Sequence, residues 1–464
     1  SHTKSDVTIV TSANNTKHTG LSGLHLNKIA LSHLSVAALG VFTMMSMPAA
    51  HASWVNNGPG GAAYGVNNGN NSIAIGSDSG QQAITNGTDA IAVGSNAKTL
   101  GGNSIAIGKD AEAQAWSYAI GTGAKAHGNG ASAIAIGDRA FAVSEAGQNV
   151  AIAIGSDAHA YKSGIAIGQY AKAPQNAAVA IGWGADASNS KSGVAIGDRA
   201  TANGTNALAI GGNANNTATF AFGQGAVALG SGSNSQGAGA VAIGGLGDTF
   251  GGSEALNDYA VAIGADAHAT ASGAIAIGGN GIDAAQADGK DSLAFGTGSQ
   301  TALNSVGGIA IGFHAKSDAD YATALGHWAQ AMQDHSMAIG SNTYADGSYA
   351  MAVGDRNLAL KEESVAFGLQ NKVDAEKASA FCHRNLLESY HDLAIGHDNL
   401  LASISMGATL SGTNNAFGSE NKLVGTENNV TGNYNDIGGA KYDEATLTKT
   451  NSGNPLQNVT VLGN

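Results

Sequence analysis

The chain has 464 residues, 68 of them glycine but only 4 proline, with 43% hydrophobic, 5% aromatic and 12% charged residues. Glycine at about twice its usual share would fit collagen or a disordered chain, but there is no Gly-X-Y period, proline is scarce and small aliphatics abound. A formal charge of −13 without a Lys/Arg cluster argues against a nucleic-acid or anionic-membrane partner, and one cysteine, Cys382, excludes an internal disulfide framework.

Residues 1–52 differ from the rest. Lys28 precedes an apolar stretch from Ile29 to Met47, and Ala50-His51-Ala52 has the small-x-small form of a signal-peptidase site, placing the cut between Ala52 and Ser53. A membrane anchor would need about 20 uninterrupted apolar residues, and Ser32, His33 and Ser35 break this run. The reading is a secreted chain with a long leader, followed by a lead-in over 53–68.

From residue 69 one short string dominates. Ser72-Ile73-Ala74-Ile75-Gly76 returns as Ala90-Ile91-Ala92-Val93-Gly94, Ser104-Ile105-Ala106-Ile107-Gly108 and onward to Asp392-Leu393-Ala394-Ile395-Gly396. Gly326, Gly340, Gly354 and Gly368 stand 14 residues apart. A period that short predicts one coil of a parallel β-solenoid, two short strands and two tight turns, in an all-β chain. Side chains alternate along a strand, so the aliphatic pair shares one face and the alanine takes the other. The aliphatics are expected inside the coil and the alanines on a flat outer face that another subunit could approach. The glycine permits a turn with positive φ. A weaker half follows, as in Ala158-His159-Ala160, whose variable middle position reads as solvent-facing.

Spacing departs from 14 in places, and the extra residues are expected to leave the turns as loops. From 397 the chain becomes richer in Asn, with candidate anchors at Gly407, Gly418, Gly425 and Gly438. It reads as an irregular continuation of the head over 397–464, ending in a part-repeat, Thr460-Val461-Leu462-Gly463, before any stalk or membrane anchor.

The repeated Ser/Ala-Ile/Val-Ala-Ile-Gly with its Ala-x-Ala half resembles the YadA-like head of trimeric autotransporter adhesins of Gram-negative bacteria, over about residues 69–440. The resemblance implies a left-handed parallel β-roll assembled as a homotrimer on the cell surface. It implies an adhesin that binds extracellular matrix proteins such as collagen, fibronectin or laminin, or host or bacterial cells. Residues Asn71, Ser72, Ile73, Ala74, Ile75 and Gly76 are similar to the family's collagen-associated repeat, and Asn103 and Ser104 begin the next such copy. These are the candidate ligand-binding residues.

No catalytic, cofactor or metal residues are assigned. Asp recurs after the anchor glycines (Asp78, Asp110, Asp157, Asp266; Asp138, Asp198, Asp355), which turn geometry alone explains because Asp bonds its own backbone there. Calcium-binding β-rolls carry Gly-Gly-x-Gly-x-Asp loops, and Gly278-Gly279-Asn280-Gly281-Ile282-Asp283 approaches that pattern once. A glycan-processing enzyme would need paired carboxylates in a cleft. His327, His383 and His397 follow anchor positions in one column and read as solvated turn residues, and Cys382 as a turn variant with strained φ. Trp116, Tyr118, Trp183 and Trp328 could anchor a ligand or pack between subunits. The alternatives to an adhesin are a structural spacer in a surface fibre, or a β-solenoid enzyme or phage-type fibre acting on glycans.

Overall fold

The computed structural model describes residues 65–67, 69–76, 82–145, 150–212, 217–245, 252–402, 413–437, 441–443, 448–450, 456–457 and 460–462. The Ala52/Ser53 cut, and with it the leader, lies outside these residues, as do Asp78, Gly407 and Gly438.

The described chain is a parallel β-solenoid. The x-Ile-Ala-Ile-Gly strings form the first strand of each coil, and each pairs in register with the next: Ile73, Ala74 and Ile75 with Ile91, Ala92 and Val93, then with Ile105, Ala106 and Ile107. The ladder continues through Leu393, Ala394 and Ile395 to Asn415–Phe417 and Asn429–Thr431. The Ala-x-Ala strings form the second strand and build a second parallel sheet, in which Phe141 and Ala142 pair with His159 and Ala160, and His159 with Lys172. Where the second strand shrinks to one residue, Asp186 bridges Lys172 to Thr201.

The core lies on the side opposite to the one the sequence suggests. Alanines of both strands are fully buried, among them Ala92, Ala106, Ala135, Ala153, Ala166, Ala324 and Ala338, together with Ala126, Ala142 and Ala160 of the second sheet. The aliphatics flanking the first-strand alanine point outward: most are half-buried, and Ile136, Ile210, Leu325 and Ile395 are exposed. Strands of two or three residues joined by tight turns leave a narrow gap between the sheets, and only a methyl-sized side chain fits from both walls at once. The expectation that the aliphatic pair shares one face holds, but that face is the outer one.

Each coil turns twice through left-handed backbone. One turn follows the anchor glycine, with φ of 57° at Asp110, 54° at Asp157, 53° at Arg139 and 54° at Trp328; the other precedes the first strand, with φ of 54° at Asn71, 53° at Asn103 and 58° at Tyr349. The anchor itself packs against the next anchor. A methyl built on Gly354 would overlap the carbonyl oxygen of Gly368, so glycine is required by crowding as well as by φ.

Towards the C-terminal end the core changes composition. The third residue after the anchor is Ala in most early coils, then Thr343, Asn357, Asn371, Asn385, Asn399, Asn421 and Asn435. The asparagines stack: Nδ2 of Asn371 donates to Oδ1 of Asn357 (3.0 Å), Asn385 to Asn371 (2.9 Å), Asn399 to Asn385 (2.8 Å), Asn421 to Asn399 (3.0 Å) and Asn435 to Asn421 (2.8 Å). The same amides close the coil by donating to the next anchor carbonyl, as from Asn371 to Cys382 (2.9 Å) and Asn385 to Gly396 (2.9 Å). Leu387, Leu401 and Leu423 replace alanine as fully buried side chains in the core column, and Leu386 and Leu400, in the variable column with Lys372, are fully buried as well. The 14-residue register survives past 397: Gly418 and Gly432 are the anchors, with φ of 136° and 131°, whereas Gly425 lies inside the second strand Lys422–Thr426. Thr460–Leu462 joins the first sheet beside Asn429–Thr431.

Candidate ligand-binding surface

The described residues of the solenoid offer columns of repeated side chains. Asn71 and Asn103 sit in one turn column, two coils apart, with Asp89 between them. The Asp89 N–H donates to the Asn70 carbonyl (3.0 Å), and the Asn103 N–H to the Thr88 carbonyl (2.9 Å). Both asparagines are exposed and hold left-handed backbone, a conformation that Asn tolerates well. The rest of the motif divides by face. Ser72, Ala74 and Ser104 are buried and offer no surface to a ligand; Ser72 Oγ donates to the Gly69 carbonyl (2.7 Å) and Ser104 Oγ to the Gly101 carbonyl (2.6 Å). Ile73, Ile75 and Gly76 are half-buried, the isoleucines on the outer face of the first sheet. Ser72 and Ser104 therefore lock turns, and of this motif the Asn column is exposed while the isoleucines form the half-buried outer face of the first sheet.

Exposed aromatics line the turns. His314 stacks on Trp328 (4.4 Å between ring centres), Phe313 on His327 (5.6 Å), and His335 lies between Tyr321 (5.2 Å) and Tyr349 (4.8 Å). Trp183 takes the Arg199 guanidinium over its ring at 4.5 Å. Trp116 is 59% exposed, and Tyr118 lies on the aliphatic face. The 14-residue period could have exposed these stacks, since Tyr321, His335 and Tyr349 are spaced by it.

Charged groups pair along columns too. Arg139 meets Asp157 with two hydrogen bonds (2.8 and 2.7 Å) and Asp138 at 2.7 Å. The guanidinium bond holds the Asp157 carboxyl below its ordinary range. Glu254 and His268 are neighbours across two coils, Oε2 to Nδ1 3.4 Å. That bond raises the His268 imidazole and lowers the Glu254 carboxyl. His383 and His397 stand in register, ring centres 4.6 Å apart and edge to face. Cys382, at φ 80°, takes a glycine position between Gly368 and Gly396, as a strained turn variant should. Its neighbour His383 continues the same strand, and the two side chains are not assembled as a nucleophile and base.

The geometry is that of a repetitive display surface, and a family comparison agrees with it. The YadA head domain repeat matches residues 86–111, 117–140, 162–185, 188–214, 223–246, 255–280, 283–301, 304–327 and 333–357. Residues 86–357 are a YadA-like head. No curated protein matches the chain. YadA-like heads are carried by surface-exposed trimeric autotransporter adhesins, so an adhesin-type function at a bacterial cell surface goes with the family. The coils after Asn357 keep the same register through Thr431 with the Asn-lined core described above.

Proposed function

We propose that this YadA-like head works as a homotrimer on the surface of a Gram-negative bacterium, attaching it to an extracellular matrix protein such as collagen, fibronectin or laminin, or to host or bacterial cells. The observation that carries the proposal is the outer face of the first sheet. Its strands present an aliphatic column on each side of the buried alanine, from Ile73 and Ile75 through Ile105 and Ile107, Ile165 and Ile167, Ile309 and Ile311, to Leu393 and Ile395. Monomeric proteins seldom leave contiguous apolar patches beyond a few hundred Å² in water, and a face that runs along the first sheet from Ile73 to Ile395 exceeds that. Burying it against two further copies leaves the second sheet and the turn columns facing outward.

Attachment then comes from many near-equivalent turn edges, tripled by symmetry, with avidity exceeding any single contact. Asn71 and Asn103, with the stacked aromatics of 313–349, are the exposed groups we assign to contact. Residues 1–52 act as a leader cut between Ala52 and Ser53, and 53–68 lead into the head. The test is solid-phase binding of the secreted chain to collagen, fibronectin, laminin and bacterial cells. Saturable binding to one of these supports the adhesin; a trimer that binds none of them is a spacer.

A further inference from the structure

The turn after Gly278 is longer than its neighbour. After Gly264 the Ala267 N–H returns to the Gly264 carbonyl (3.3 Å), whereas after Gly278 the matching bond comes from Ala285 (3.1 Å), four residues later than the repeat requires. The insertion contains Gly278-Gly279-Asn280-Gly281-Ile282-Asp283. It folds back on the preceding coil: Asn280 registers with Ala265, and a methyl on Gly279 would overlap the Ala265 carbonyl oxygen. Asn280 Oδ1 pins the loop by accepting the N–H groups of Ile282 (2.9 Å) and Asp283 (2.8 Å).

Next to Ala265, on which this loop rests, Asp266 is unlike most others in its column. The second residue after the anchor is exposed at Asp110, Arg139, Tyr170, Arg199 and Trp328 and half-buried at Asp157 and His314, but Asp266 is only 6% exposed. Its Oδ1 is buried and has no hydrogen-bond donor. Two charged neighbours act on it, His268 and Glu254, with opposite signs. Glu254 adds to the burial in disfavouring its ionisation, and His268 opposes both. His268 is itself shared with Glu254 and feels Asp288, whose Oδ1 accepts the Thr270 hydroxyl (2.6 Å). Asp283 stands half-buried in the loop.

We propose that Asp266 and the 278–283 loop form a site for a hard divalent cation of the calcium class. A buried carboxylate oxygen with no donor calls for a positive partner. Calcium takes oxygen ligands from carboxylates and backbone carbonyls in flexible geometry, and a Gly-Gly-x-Gly-x-Asp loop is the sequence form that supplies them in β-rolls. Among the described residues no three or more His, Cys, Asp and Glu side chains are grouped for a metal. The proposed ligands are accordingly two carboxylates, Asp266 and Asp283, completed by loop carbonyls. Neither feature suffices alone; the loop resting on Ala265, the residue before the orphaned carboxylate, is what assigns the site.

The experiment is calorimetric titration of calcium chloride into the chelator-stripped full chain, with thermal melts alongside. One saturable site per chain is expected, with a higher melting midpoint in calcium. Asp266→Asn should weaken binding at least tenfold without lowering the midpoint of the stripped protein, because the amide removes the buried charge. Asp110→Asn, in the same column but exposed, should bind as the parent does. Absence of calcium binding overturns the proposal, as does binding by Asp266→Asn within twofold of the parent. If Asp266→Asn does not fold, Asp283→Asn in the loop replaces it: a tenfold loss supports the site and unchanged affinity overturns it.

Discussion

Replacing Asp392 by asparagine should stabilise the protein and remove a pH dependence. Asp392 occupies the position before the first-strand aliphatic, held by small residues in earlier coils and by Asn414 and Asn428 in the two coils that follow. Its side chain is fully enclosed; Oδ1 accepts the Asn414 N–H (2.9 Å) and Oδ2 the Ser389 N–H (3.1 Å). Burial pushes its carboxyl from 3.8 up to about 8, against the opposing pull of the bonds from Asn414 and Ser389. The folded value lies above the unfolded one, so the folded state holds the extra proton. The corresponding stability is complete below the unfolded value and is lost as pH rises toward about 8. At pH 7 the group lies 3.2 units above its unfolded value of 3.8, and at 1.36 kcal/mol per unit the folded state carries a burden of roughly 4 kcal/mol. Asparagine has the same shape and no proton to take up. Its Oδ1 keeps the Asn414 bond, while its Nδ2, a donor, gives up the Ser389 bond, a loss of about 1 kcal/mol against the larger burden removed. Urea denaturation of parent and Asp392→Asn at pH 5, 6, 7 and 8 measures the difference. Since other titrating groups are common to both proteins, the stability gap isolates residue 392. It should widen by about 1.4 kcal/mol per pH unit between 5 and 7. Parallel stability curves across that range would refute a buried carboxyl with a raised pKa.

Three further outcomes follow from the same packing. Asn385→Ala removes the amide joining Asn371 to the Gly396 carbonyl and leaves buried polar groups unpaired, so denaturation should show a loss of about 2 kcal/mol. Cys382→Gly relieves left-handed backbone at φ 80° and should gain about 1 kcal/mol in the same assay, while Gly368→Ala, whose methyl would overlap the Cys382 carbonyl oxygen, should lose more than that. Ala338→Leu places a large side chain in the methyl-wide core and should cost at least about 3 kcal/mol; Ile339→Leu on the outer face keeps volume and should fold normally, as circular dichroism would report.

The coil period, the parallel all-β architecture and the turn role of the anchor glycines were legible in the sequence, because each repeats an identical demand every 14 residues. The direction of the core was not. Size suggested that Ile105 and Ile107 belonged inside, yet the variable residue of Ala158-His159-Ala160 already marked that strand's alanines as inward. With alanine filling the narrow gap from the second strand, only alanine fits from the facing one, so Ala106 points inward as well. The Asn column beginning at Asn357 was visible at its spacing of 14, but the change in texture near 397 obscured it, since the insertion between Gly396 and Gly418 shifts the count without breaking the register. At the candidate binding motif, type and spacing located Asn71 and Asn103 without separating them from Ser72 and Ser104, whose hydroxyls are spent on backbone carbonyls. Asp266 looked like any other turn aspartate because what distinguishes it, a buried Oδ1 without a donor, depends on its neighbours in space and not on its spacing.

The central claim is that the aliphatic outer face of the first sheet is buried by self-association into the trimer of an adhesin head. Sedimentation equilibrium of the purified secreted chain measures this directly. The account predicts a single species of three chains that persists on dilution to low micromolar concentration; a stable, soluble monomer with that face open to water would contradict it.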